Sequence, residues 1–239
     1  MNSLLNFFSS SSSKVNLVDY LKETIDQAKK NSSSEEFTLV LNFKDRFGNE
    51  DGTKYLAQTL QQCQNISRLH LELRDDRIPD EKMIILLEQI QTMKNLKHLS
   101  LSLGHNYLKE ASVKRIGQTI GNLTQLESIN LKFDSIQIGQ QTVAALTEGF
   151  NKCQNLTNLN LNLDYCNIQD SGLQTLCDGL ARCINLTQLN LSLGCNGFSQ
   201  YPNQMISQMI GEGPYLEYLK SLEETLKKHK LTNFTANYW

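Results

Sequence analysis

Residues Leu156 to Cys183, LTNLNLNLDYCNIQDSGLQTLCDGLARC, decide the fold. Apolar residues first alternate with polar ones at Leu159, Leu161 and Leu163, the two-residue period of a strand with one buried face. They then recur at Leu176, Leu180 and Cys183, steps of four and three that place them on one stripe of a short helix. One strand and one helix therefore fill a line of this length.

The same line repeats with a period of 30 residues, six times from residue 36, without insertion or deletion. The strand columns are Leu39-x-Leu41-x-Phe43, Leu69-x-Leu71-x-Leu73, Leu99-x-Leu101-x-Leu103, Ile129-x-Leu131-x-Phe133, Leu159-x-Leu161-x-Leu163 and Leu189-x-Leu191-x-Leu193. The helix columns run from Leu56, Leu60, Cys63 to Ile206 and Ile210, where Gly213 breaks the last line. Self-similarity at this period marks a solenoid. Successive strands joined through a helix must lie parallel, with the helices covering one side and the crossover right-handed. Each fully buried Leu-sized side chain contributes roughly 1.5–3 kcal/mol, largely offset by chain entropy, so no single line holds alone.

Within the deciding stretch, Leu161-x-Leu163-x-x-Cys166-x-Ile168 resembles the LxLxxN/CxL core of the leucine-rich repeat of ribonuclease-inhibitor type, and the resemblance spans roughly residues 36 to 213. It implies an α/β fold: a right-handed leucine-rich-repeat solenoid, or arc, of six 30-residue repeats with an inner parallel β-sheet and outer helices. In that family an Asn or Cys in the slot after each strand bonds the loop backbone and its neighbour. Here the slot holds Arg46, Asp76, Asn106, Ile136, Cys166 and Asn196. Ile136 has no side-chain group for this, so a looser loop is expected over residues 134 to 140.

The ends of such a stack need caps. Val15, Val18, Leu21, Ile25 and Ala28 give an amphipathic helix, so residues 14–34 read as an N-terminal capping helix and loop after a disordered Ser-rich tail at 1–13. Residues 35–214 hold the six repeats, 215–230 a closing helix, and 231–239 a tail whose aromatic residues either bind a partner or fold back on the cap.

Composition narrows the function. Of 239 residues, 39% are hydrophobic and 20% charged, enough for a core, and the net charge of -2 gives no global field for nucleic acid or a membrane surface. The longest apolar run, Met83 to Leu87, is far short of the ~20 residues of a spanning helix. The six cysteines show no pairing pattern, since Cys63, Cys153 and Cys183 share one repeat column and Cys166, Cys177 and Cys195 occupy three others. Free thiols and a cytoplasmic location are expected. Asn65, Asn155 and Asn185, which match a glycosylation signal, sit at the same turn of the repeat, and repetition accounts for them.

The even-numbered strand positions project away from the buried columns and define the inner wall. The candidate partner-binding residues on it are Lys44, Arg68, His70, Glu72, Arg74, His98, Lys132, Asp134, Asn160, Asn162 and Asp164. Clustered guanidinium and imidazole groups suit an acidic patch on a protein partner, while the competing reading is that these are solvated residues on the only exposed face of the sheet. Asn158, Asn160 and Asn162 suggest amide ladders. Five intervals of about 4.8 Å make a wall of roughly 24 Å, a size for a protein segment rather than a small-molecule substrate. His70 and His98 lack the carboxylate and thiol company of a metal site, and no phosphate-binding or nucleophile-elbow motif occurs. The expected function is a non-catalytic protein-protein interaction scaffold, not an enzyme, with no cofactor and no metal. The resemblance adds an alternative, regulation of a small GTPase in the manner of Ran GTPase-activating proteins, with Arg46, Arg74 or Arg77 as the groups offered. A further alternative has no partner site on the concave face and interactions through the ends.

Overall fold

The computed structural model describes residues 38–42, 50–198, 214–229 and 231–237. The expected N-terminal tail and cap, Lys44, Arg46, the stripe at Ile206 and Ile210, and Tyr238 with Trp239 lie outside the described residues.

Strands and helices alternate: β1 (Thr38–Asn42), α1 (Glu50–Gln62), β2 (Arg68–Glu72), α2 (Asp80–Ile90), β3 (His98–Ser102), α3 (Glu110–Gly121), β4 (Ser128–Lys132), α4 (Gln140–Lys152), β5 (Asn158–Asn162), α5 (Gln169–Leu180), β6 (Gln188–Ser192), α6 (Pro214–His229) and β7 (Asn233–Asn237). The strands form one seven-stranded parallel sheet in chain order. From β1 to β6 the register joins positions thirty residues apart, as in Leu69↔Leu99, Leu101↔Leu131 and Leu161↔Leu191. This is a leucine-rich-repeat-like solenoid.

The odd strand positions of β2 to β6 are buried and join one continuous core with the helix stripes, such as Val113, Ile116 and Ile120 of α3. The opposite sheet face has no covering layer among the described residues, and its side chains are mostly half-buried or exposed. Two glycines set the closest helix approach. A Cβ on Gly117 would lie 2.7 Å from the carbonyl carbon of Ala145, and one on Gly149 would lie 2.9 Å from that of Gly117, so α3 and α4 meet backbone to backbone.

Residues 231–239, read from the sequence as a tail, instead contribute Asn233–Asn237 as the seventh strand. Its register to β6, Gln188↔Asn233, spans 45 residues rather than thirty, with α6 lying between the two strands in the chain. Phe234 and Ala236 take the buried-column positions beside Leu189 and Leu191. Both remain only partly buried, since no further strand covers them among the described residues.

Where the slot after a strand holds Asn106, Cys166 or Asn196, its side chain bonds main-chain groups. The Asn106 carboxamide oxygen accepts from the Ile78 N–H (2.9 Å), and its NH2 donates to the Leu73 and Leu103 carbonyls (2.6 and 2.8 Å). Asn196 accepts from the N–H groups of Cys166 and Ile168 and donates to the Leu163 and Leu193 carbonyls. The Cys166 thiol donates to Phe133 O at 3.3 Å. Ile136 is buried and offers no side-chain bond; its loop is held by the main-chain bonds Ile136 N–H to Phe133 O, Ser135 N–H to Asp164 O and Ile138 N–H to Cys166 O, and by the Cys166 thiol set against the Ser135 and Ile136 backbone.

Among the described residues no helix is long and apolar enough to cross a membrane. The cysteines described there form no disulfide. Burial pushes the thiols of Cys153 up to about 11 and of Cys166, Cys177 and Cys183 up to about 12. These thiols are therefore protonated and unreactive at neutral pH. The Asn155 and Asn185 amides donate to the Thr124 and Gln154 carbonyls of the preceding line, which gives the repeated asparagine a structural task.

Candidate interaction surface

The uncovered sheet face divides by chemistry. β2 and β3 present Arg68, His70, Glu72, His98 and Ser100, all half-buried, while Ser102 is buried. β4 adds the exposed Lys132, and β5 and β6 add Asn158, Asn160, Asn162, Gln188, Asn190 and Ser192. β7 continues this uncharged surface with Asn233, Thr235 and Asn237. Seven strands make a face roughly 29 Å wide at about 4.8 Å per interval.

Several of these side chains are tied to one another. Asn130 donates to the Ser100 hydroxyl at 3.1 Å, and Asn158 donates to Gln188 Oε1 at 2.7 Å, so amide links between strands do form. His70 Nε2 lies 3.9 Å from Glu72 Oε2. Burial lowers the His70 pKa, Glu72 raises it against that, and Lys132 lowers it further. The imidazole is neutral at pH 7 and gives the face no positive charge there.

Asp134 is not an open wall residue. It is 7% exposed, and its Oδ2 lies 2.6 Å from Arg74 Nη1 and 3.4 Å from His105 Nε2. Arg74 is two strands away, and the gap is bridged because the intervening column position is Gly104. A Cβ there would sit 2.6 Å from the Asp134 carboxylate carbon. Asp164, one line further, accepts from the Ser192 hydroxyl (2.9 Å) and the Gly194 N–H (2.6 Å). The two glycines of this one column, Gly104 and Gly194, thus hold both carboxylates down on the sheet. Arg74 also has Asp75 Oδ2 at 3.6 Å from its Nε, so its charge is matched within the protein.

At the exit of each strand the chain turns through a left-handed residue. Asp75, His105, Ser135, Tyr165 and Cys195 share one repeat column, with φ between 55° and 64°. The N–H of each of the first four donates to the next unit, as Tyr165 does to Gly194 O at 2.8 Å, which extends the ladder and turns the side chain outward. This ridge bears the exposed Arg77 and two large aromatic groups, Tyr107 and Tyr165, each 63% exposed. Sequence reasoning passed over both tyrosines because it counted only strand positions as the wall. The usable clue is two aromatic residues at loop positions that are elsewhere mostly small or polar. On the helical side a separate groove of about 560 Å³ opens between α1 and α2, with Ala57, Pro79, Lys82 and Ile85 among its walls.

No protein-family model and no curated protein matches the chain. Among solved structures it is similar to a leucine-rich-repeat protein of Leptospira interrogans, at 13% identity over 89% of this chain and 69% of that one, with a TM-score of 0.36.

Proposed function

We propose that the chain is a non-catalytic protein-interaction scaffold, a leucine-rich-repeat solenoid of ribonuclease-inhibitor type that takes a protein partner across its concave sheet face. The observation that carries this reading is the pairing of a broad uncovered polar face with Tyr107 and Tyr165 on its rim, each 63% exposed. Tyrosine supplies large, rigid contact area at little entropic cost and is enriched among residues that dominate binding energy. Lys132, exposed beside Ser102 and Asn162, provides a positive charge for an acidic group on the partner, with Arg68 and His98 further along the face. Buried, unbridged thiols suit a reducing, cytoplasmic setting.

The test is affinity capture from lysate with the wild-type chain, followed by binding measurements on the partner recovered. A Tyr107→Ala/Tyr165→Ala double variant is expected to lose about 30-fold or more in affinity, the scale of a 2 kcal/mol anchor. Lys132→Glu combined with Arg68→Glu is expected to weaken binding further and to reduce its salt dependence. A partner whose affinity is unchanged by both sets of substitutions does not use this face, and the proposal fails.

A further inference from the structure

The open edge of β7 is chemically unusual for a sheet edge. Exposed edges are ordinarily blunted by lysines, proline, a bulge or a covering segment, because their free N–H and C=O groups recruit other strands. β7 reads Asn-Phe-Thr-Ala-Asn, with no charge and no proline, and pairs with β6 over its full length. Among the described residues nothing pairs with its other side.

The backbone phase of that edge follows from two bonds. The Asn233 N–H donates to Thr187 O, and the Asn237 carbonyl accepts from the Leu193 N–H. Residues 233, 235 and 237 therefore direct their main-chain groups to β6, and residues 234 and 236 direct theirs to the open side. We infer that β7 is a self-association edge, on which a second copy of this chain adds its own β7 antiparallel about a two-fold axis at Thr235.

The alternation fits this register. Phe234 and Ala236 of one copy oppose Ala236 and Phe234 of the other as hydrogen-bonded pairs, with four main-chain bonds between them, and Thr235 opposes Thr235 as the intervening non-bonded pair. Side chains match as well. A large residue meets a small one where the core ends partly uncovered, Thr faces Thr, and Asn233 faces Asn237. An isologous contact of this kind closes at two copies.

Sedimentation of the 239-residue chain over a concentration series tests the inference. The wild type is expected to show a monomer–dimer equilibrium. Thr235 is exposed on the polar face, so Thr235→Lys and Thr235→Glu leave the fold intact, as circular dichroism will verify. Each variant sets like charges against each other on the axis and is expected to weaken the dimer at least about tenfold. An equimolar mixture of the two is expected to restore it as a heterodimer. A wild type that stays monomeric throughout, a dimer indifferent to both variants, or a mixture that does not reassociate overturns the inference.

Discussion

Replacing Asn106 with alanine removes one carboxamide that holds three buried main-chain groups from two adjacent lines: the Ile78 N–H at 2.9 Å and the Leu73 and Leu103 carbonyls at 2.6 and 2.8 Å. The side chain is almost wholly enclosed, so water cannot take over these bonds without opening the loop. An unmade bond to a buried group costs about 1–3 kcal/mol. With three groups affected, and part of the loss relieved by local shifts, the expected destabilisation is about 3 kcal/mol in urea unfolding followed by circular dichroism. Asn106→Ile, which copies the residue at position 136, is expected to cost nearly as much, because the orphaned groups are the same. Hydrogen exchange supplies a second readout within the wild type: residues 134 to 140, whose slot holds Ile136, are expected to exchange faster than residues 104 to 110. A loss below about 1 kcal/mol for both variants, together with equal protection of the two loops, would refute the idea that the slot amide carries the loop.

The helix contact gives a second measurement. Gly117→Ala gains the helix propensity of alanine, about 1 kcal/mol, but drives a Cβ into the Ala145 carbonyl, and overpacking of this kind costs typically 1–3 kcal/mol. The melting temperature is expected to fall, whereas Gly139→Ala, whose added Cβ meets only Glu110 Oε1 at 3.4 Å, is expected to leave it nearly unchanged. Alkaline titration gives a third. Cys153, Cys166, Cys177 and Cys183 ionise at about 11 to 12 in the fold and near 9 when unfolded, so the folded state binds more protons between those values. Stability is then intact below pH 9 and falls as pH rises toward 12, by up to about 1.4 kcal/mol per pH unit for each thiol. Cys177→Ala is expected to flatten that slope, and an unchanged slope would count against the assignment.

The strands, their order and the buried columns were legible because a one-residue slip in register would turn every leucine to water, so the alternation alone fixes which face is buried. β7 was not legible. Leu231-x-x-Phe234-x-Ala236-x-Tyr238 carries the strand spacing, but its offset of 45 residues from β6 breaks the period that identified the other strands. The close meeting of α3 and α4 was also hidden, since Gly117 and Gly149 occupy different repeat columns and act only where two helices cross. Asp134 shows the same limit at the candidate site. Alternation places it on the polar face correctly, but its burial depends on the missing side chain of Gly104 thirty residues earlier and on Arg74 sixty residues earlier, a relation across three lines that no single line displays.

That relation changes how the charges on the face should be counted. Arg68, His70, Arg74 and His98 form a basic cluster when read as independent side chains. Arg74 is matched by Asp134 and Asp75, and His70 is neutral at pH 7. A charge reversal at Arg74 would set a carboxylate against the buried Asp134 and disturb the loop that carries His105 and Tyr107, so lost binding in that variant would report on folding as much as on recognition. Lys132 is different. It is exposed at the end of β4, and its neighbours in register, Ser102 and Asn162, are uncharged, so its reversal alters the field of the face while leaving the buried carboxylates in place. On the proposed reading, electrostatic recognition by this surface turns on Lys132, while the Arg74–Asp134 pair belongs to the scaffold beneath the ridge, where Asp134 also faces His105.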